Sequence, residues 1–238
     1  MNVKDNYTIV AYGDSITKGI AYNNEKSKYL IIKDNFTNII SSSIKGSVYN
    51  VGKFGSTIIR GINKLNMDVI KKNPDIVLIE FGGNDCDFNW DEIAKNPNME
   101  YHPNTDIYVF KETLLNMIST LKKVNIFPAL MTLPPLDPFK YFNWIGKGDA
   151  SAEKNILNWL GTKEKLFTWH DSYNKMITEV AKVSGTVLID IRSEFLKCDN
   201  YTNYLCIDGI HPNVNGQSLI ASALLDFIKS NYRFLLED

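Results

Sequence analysis

Cysteine and histidine are scarce in this chain of 238 residues, with three of each. Cys86, Cys198 and Cys206 form an odd set with no CxxC spacing, which argues against a disulfide framework and a cysteine-rich zinc site. His102, His170 and His211 lie far apart without an HExxH pairing, so no metal site is expected of them. A dominant charge is missing too: 26 Lys and Arg face 27 Asp and Glu, a formal net charge of -1, and no long basic run occurs. Neither nucleic acid nor an anionic membrane surface is therefore an expected partner. No apolar run approaches the roughly 20 residues of a bilayer span, so no stable membrane anchor is expected. The opening MNVKDNYTIVAYGD lacks the basic, apolar and small-residue succession of a signal peptide. The expectation is a cytoplasmic protein whose cysteines are reduced.

What the chain does have is core. Hydrophobic residues make up 44% and charged residues 22%, enough for one globular domain over residues 1–238. Short, mostly unbroken apolar runs at 8–12, 48–51, 76–81, 127–132 and 187–191 read as strands covered on both faces. Helical patterns separate them, at 34–44, 57–71, 107–124, 171–183 and 214–232. In the fourth, Tyr173, Met176, Ile177 and Val180 recur at helical spacing and predict one buried face. Strand alternating with helix implies right-handed crossovers and a parallel sheet. Two segments break the rhythm: 85–106, polar and aromatic, and 134–169, with a short helical candidate at 156–160. Both follow strands directly and belong at the carboxyl edge of the sheet, where open α/β proteins bind ligands.

Four polar sets converge on that edge: GDSIT after the first strand, NVGKFGST after the second, FGGND after the third, and DGIHPN before the last helix. Together they offer the chemistry of acyl transfer. Ser15 needs a base to attack a carbonyl, and an imidazole such as His211 titrates in the right range. Asp208, three residues before His211, is near enough in a tight turn to hold one ring nitrogen while the other faces Ser15. The Gly55 backbone N–H, the Asn84 amide and the Ser15 backbone N–H supply an oxyanion hole from three loops.

These segments, in this order, resemble the blocks of the SGNH hydrolases, the GDSL esterase and lipase superfamily. Ser15 in GDSIT fits the nucleophile block, with Ile16 where the nickname has Leu. Gly55 and Asn84 fit the oxyanion positions, and Asp208 with His211 fits the acid and base. The resemblance implies a flavodoxin-like three-layer α/β/α sandwich around a five-stranded parallel sheet. It also implies a serine esterase that works through an acyl-enzyme on a small-molecule ester, without metal or organic cofactor. Removal of a small O-acyl group, acetyl above all, from a carbohydrate or related metabolite is the substrate reading; lysophospholipase or thioesterase activity is the alternative.

Other residues are expected to serve structure. Asp14 should hold the serine turn and Asp85 its own loop, Glu80 should be paired inside its strand, and Cys86 should be a buried spectator. The aromatics Tyr141, Phe142, Trp144, Trp159, Phe167 and Trp169 should in part pack on one another and in part wall the substrate site. Tyr141, Trp144 and His170 are the substrate-binding candidates. Two rivals stand against an esterase. A nucleotide-binding protein would need GxGxxG or GxxxxGK[ST], and the first turn has neither. A catalytically silent binding module would need no intact nucleophile, base, acid and hole together.

Overall fold

The computed structural model describes residues 4–237. The chain passes through β1 (Tyr7–Gly13), one helical turn α1 (Ser15–Lys18), the strands β2 (Ile20–Asn23) and β3 (Lys28–Ile31), α2 (Phe36–Ser41), β4 (Gly46–Asn50), α3 (Ile58–Asp68) and β5 (Ile76–Glu80). It continues through α4 (Trp90–Lys95), α5 (Ile107–Lys123), β6 (Phe127–Met131), α6 (Pro138–Gly146), α7 (Ala150–Leu160), α8 (Lys165–Ser184), β7 (Val187–Ile189), α9 (Ile191–Leu196) and α10 (Val214–Asn231).

Five strands form one sheet in the order β4-β1-β5-β6-β7, with every neighbouring pair parallel. Alternation along each strand feeds two cores. Val10 and Tyr12 of β1 and Val77 and Ile79 of β5 face the layer of α3, α5 and α8, where Leu65, Leu114, Ile118, Tyr173 and Ile177 are buried. Ile9 and Ala11, with Ile76 and Leu78, face the layer of α2, α9 and α10, among Phe36, Ile40, Phe195, Ile220 and Leu224. Each such fully buried aliphatic or aromatic side chain stabilises the fold by about 1.5–3 kcal/mol. The result is the expected three-layer sandwich with a five-stranded parallel sheet.

The strand order positions the site. From β1 the chain steps outward to β4, then crosses back to β5 on the other side of β1, and an α/β sheet opens its ligand crevice where the order reverses. Ser15 follows β1 and Asn84 follows β5, the two strands that border this switch.

A third apolar cluster stands off the sheet: Trp90, Ile93, Leu136, Tyr141, Phe142, Ile145, Ile156, Leu160 and Leu166, with Trp159 and Phe167 packed against it. It joins α4, α6, α7 and the start of α8, so the two irregular segments build one satellite core. α4 and α6 lie where no helix was expected. Asn89 caps α4, and Asp137 caps α6 by accepting from Phe139 N at 2.9 Å and Lys140 N at 3.1 Å, with Pro138 at the first turn. α8 begins six residues before position 171, because Leu166 packs into the satellite core and His170 is buried. The antiparallel β2–β3 ribbon, paired from Ile20↔Ile31 to Asn23↔Lys28, was also unexpected. Its lysines and asparagines hide the alternation of a ribbon whose burial comes from the rim of the sheet.

Candidate active site

β1 ends at Gly13, where even a methyl group would strike the Glu80 carbonyl and the Thr17 hydroxyl, both 2.2 Å from an added Cβ. Asp14 then caps the short helix that Ser15 begins, its Oδ1 accepting from Ile16 N at 2.8 Å. The turn delivers the Ser15 hydroxyl to the rim. On the far side, Gly209 (φ +74°) lets the loop before α10 pass against α6, where a side chain would meet Tyr141 N at 2.7 Å. Asp137 N donates to Gly209 O at 2.8 Å, and Cys206 N donates to His211 O at 2.8 Å, which anchors the loop on both sides of Asp208.

Ser15, His211 and Asp208 meet in one hydrogen-bond chain. His211 Nε2 lies 2.9 Å from Ser15 Oγ, and His211 Nδ1 lies 2.7 Å from Asp208 Oδ2. A carboxylate only accepts, so Nδ1 carries the proton and Nε2 is left to accept from the serine hydroxyl. Asp208 Oδ1 accepts from the backbone N–H groups of Ile210 at 3.0 Å and His211 at 3.1 Å. Burial pushes the Asp208 carboxyl up, but the His211 bond, the His211 charge and the two backbone donors outweigh it and hold the group below the usual carboxylate range.

Behind Ser15 lies a second acidic site that the sequence did not disclose. Asp14 and Glu80 are both shut away from solvent. Burial raises both carboxyls, and the neighbouring Glu80 raises Asp14 further. Thr17 Oγ1 donates to Glu80 Oε2 at 2.8 Å, while Glu80 Oε1 has no conventional donor. The partner expected for Glu80 is thus chiefly Thr17 and another acid. Asp14 Oδ2 accepts from Asn84 Nδ2 at 2.9 Å, which fixes the amide of Asn84.

A cavity of about 60 Å³ opens in front of the serine, lined among others by Ser15, Asn84, Asp87, Tyr141, His170 and His211. It has room for a few waters or a short acyl group. Of the expected oxyanion donors, Ser15 and Asn84 line this cavity. Gly55 does not; it lies on the loop after β4 at φ +66° with open space where a Cβ would stand, next to Phe54. The Phe54 ring is parallel to the His211 imidazole at 6.1 Å and is 55% exposed.

The substrate-binding candidates separate. Tyr141 is buried in the satellite core, yet lines the cavity; its hydroxyl donates to Asp87 Oδ1 at 2.5 Å, and Trp90 Nε1 donates to the same oxygen at 2.7 Å. His170 also lines the cavity, and burial with the Arg192 charge pushes it down to about 3, so its ring is neutral across the physiological range. Trp144 is not part of the lining: it stands half-buried, edge-on to Tyr22 at 4.8 Å and Tyr29 at 6.1 Å. Asp87 and Trp90, with Leu136, Leu166 and Ile210, are wall residues that sequence reasoning did not single out.

The remaining acids and thiols serve packing. Asp85 accepts from Ile58 N with both oxygens, at 3.0 and 3.1 Å, and ties the loop after β5 to the start of α3. Cys86 is buried, with its thiol raised by burial and by Asp87 and Asp85, and no base reaches it. All three cysteines are free. Among the described residues no three His, Cys, Asp or Glu side chains converge as metal ligands, and no helix is long and apolar enough to cross a membrane.

Residues 11–219 match the sequence model of the GDSL-like Lipase/Acylhydrolase family. An uncharacterized lipoprotein of Bacillus subtilis (strain 168), YqeF, is 25% identical over 223 residues, covering 92% of this chain and 79% of the relative. The GDSL esterase/lipase CPRD49 of Arabidopsis thaliana is 22% identical over 159 residues, 66% of this chain and 55% of the relative. Among solved structures, a lipase/acylhydrolase from Enterococcus faecalis superposes with a TM-score of 0.69 at 23% identity over 97% of both chains. A catalytic mutant of Axe2, an acetylxylan esterase from Geobacillus stearothermophilus, superposes with a TM-score of 0.67 at 19% identity over 100% of both.

Proposed function

From the premise that the chain belongs to the GDSL-like lipase/acylhydrolase family and is a carboxylic ester hydrolase, we propose that Ser15 is its nucleophile and that it removes short acyl groups through an acyl-enzyme. The observation that carries this reading is the unbroken chain from Ser15 Oγ through His211 to Asp208. As Ser15 Oγ attacks the ester carbon, its proton passes to His211 Nε2, and Asp208 stabilises the imidazolium. The backbone N–H of Ser15 and the amide of Asn84 receive the oxyanion, with Gly55 as the third donor. Collapse of the intermediate breaks the bond to the alcohol oxygen, which takes the proton from His211. Water then repeats the sequence on the acyl-serine and frees the acid.

The cavity supports a substrate class. About 60 Å³ suits an acetyl group and not a fatty chain. Phe54 and Trp144, at the rim and not in the cavity, suit the alcohol part, where an aromatic face stacks on the apolar face of a sugar ring. The fold neighbour named an acetylxylan esterase supports a carbohydrate ester as the first substrate to try. A cytoplasmic setting belongs to the same reading. The free cysteines support it, and the lipoprotein name of the Bacillus relative points outward; fractionation of cells carrying the full gene distinguishes the two.

The test has two parts. Fluorophosphonate should label the wild type stoichiometrically and Ser15→Ala not at all, with kcat falling by about 10⁶-fold; labelling of Ser15→Ala would assign another nucleophile. A screen across acetylated sugars, acyl-CoA thioesters and lysophospholipids should favour the acetylated sugars, and preference for lysolipid or thioester would overturn the substrate class while leaving the nucleophile in place.

A further inference from the structure

The ribbon β2–β3 places a fourth side chain on the Ser15–His211–Asp208 chain. Tyr29 Oη donates to Asp208 Oδ2 at 3.0 Å, and this is the same oxygen that receives the His211 Nδ1 proton. The Tyr29 ring also covers the imidazole, with centroids 5.0 Å apart, and Tyr22, Phe54 and Trp144 pack around the phenol. We propose that Tyr29 is a positioning residue that sets the pH range of the site by competing with His211 for the charge on Asp208 Oδ2. This rests on the catalytic reading of Ser15, His211 and Asp208 given above.

The direction follows from donor counting. A phenol facing a carboxylate can only donate, and burial together with the Asp208 charge raises Tyr29 far above its ordinary range, so it remains a donor at every working pH. An acceptor oxygen shared by two donors gives less to each. With Tyr29 bound, Asp208 attracts the imidazolium less strongly, and His211 stays free to act as base at a lower pH. Placement of the carboxylate does not depend on Tyr29 alone, because Oδ1 is held by two backbone N–H groups. The groups that face this pair are few. Asp14 approaches His211 from the serine turn. Tyr22 stands next to Tyr29 on the ribbon. Cys206 shares the Asp208 loop, raised to about 11 by burial and also by Asp208, with Lys140 of α6 beside it. His170 faces the same cavity and is neutral.

The acidic limb of the kcat/KM profile for a p-nitrophenyl acetate assay reads this out, because it reports the base in the free enzyme. Tyr29→Phe keeps the ring and loses the hydroxyl, and should move that limb to higher pH by about half a unit or more. Replacing the Tyr29 phenol with its 3-fluoro derivative, a stronger donor, should move it the opposite way. Tyr22→Phe, which removes a hydroxyl that makes no bond to Asp208, should leave the limb where it is. A limb that stays fixed in Tyr29→Phe, with folding and Ser15 labelling intact, overturns the proposal, as does a shift of the same sign in the fluorinated protein. If Tyr29→Phe fails to fold, the sign of the fluorinated protein's shift decides. Loss of labelling in every protein, wild type included, would mean instead that the esterase reading itself has failed.

Discussion

Asp208 behind His211 and the Asp14–Glu80 pair behind Ser15 are equally cut off from water, but their surroundings differ. The two oxygens of Asp208 accept from four donors: Ile210 N, His211 N, His211 Nδ1 and Tyr29 Oη. The four oxygens of Asp14 and Glu80 accept from three: Ile16 N, Asn84 Nδ2 and Thr17 Oγ1. Desolvation acts against charge in both places, and the donors decide the outcome. Asp208 is held below the usual carboxylate range and the pair is pushed above it. One acid is therefore placed to serve as a charge, while the other two brace the turn that carries Ser15.

Amide substitution breaks this comparison most sharply. Asp208→Asn keeps the shape of the site but removes the charge and alters the tautomer of His211, and should lower kcat by about 10⁴-fold. Glu80→Gln keeps the shape and removes a charge that burial already disfavours, and should keep kcat within about tenfold of wild type. Equal losses in the two variants, measured side by side on one aryl ester, would show that Glu80 also works as a charge. A smaller effect is expected at the amide that Asp14 holds. Asn84→Ala removes one proposed oxyanion donor and should cost about 10²–10³-fold in kcat, with KM much less altered.

The smallest effect is on stability. Asp85, like the pair, is buried, and burial pushes it up to about 7 in spite of the bonds from Ile58 N. A carboxyl raised in the fold binds protons that the unfolded chain has already lost. Its contribution is complete below about pH 4 and is lost as pH rises through about 7. Urea midpoints at pH 5 and pH 8 should show the decline, and Asp85→Asn should flatten it by about 2–4 kcal/mol. An unchanged slope would mean that Asp85 is ionised throughout.

Much of this was legible beforehand, for physical reasons that stop at a definite point. Strands covered on both faces leave unbroken apolar runs, so Ile76–Glu80 and Phe127–Met131 were found to within a residue or so. Ser15, Asn84, Asp208 and His211 stand in short blocks next to those strands. The helix α6 carried a readable signal that was passed over, Asp137 followed by Pro138, the pairing of an N-cap with a first-turn proline. What lay beyond reach were partnerships set only by tertiary placement. Glu80 was visible as an acid within an apolar strand, but nothing local tied it to Asp14. Tyr29 lies 179 residues from Asp208 along the chain, on a ribbon whose pattern is hidden by polar residues. Trp144 and Tyr141 looked equivalent in sequence, three positions apart in one helix. The packing of α6 directs Tyr141 into the satellite core and cavity wall, and Trp144 toward the ribbon.

The span between Ser15 and His211, 196 residues, has a consequence for how the protein comes into being. A ribosome releases Ser15 well before His211, with β4, β5, β6 and β7 of the sheet still to be made in between. Contacts this distant in sequence form late and slowly, since the loop they close must first be ordered. A nascent or half-folded chain therefore carries an unactivated serine, no better a nucleophile than any free hydroxyl, and cannot attack esters around it before its substrate pocket exists. Competence for covalent labelling is gained when the last crossover docks, which makes the reagent that identifies the nucleophile also a clock for completion of the fold.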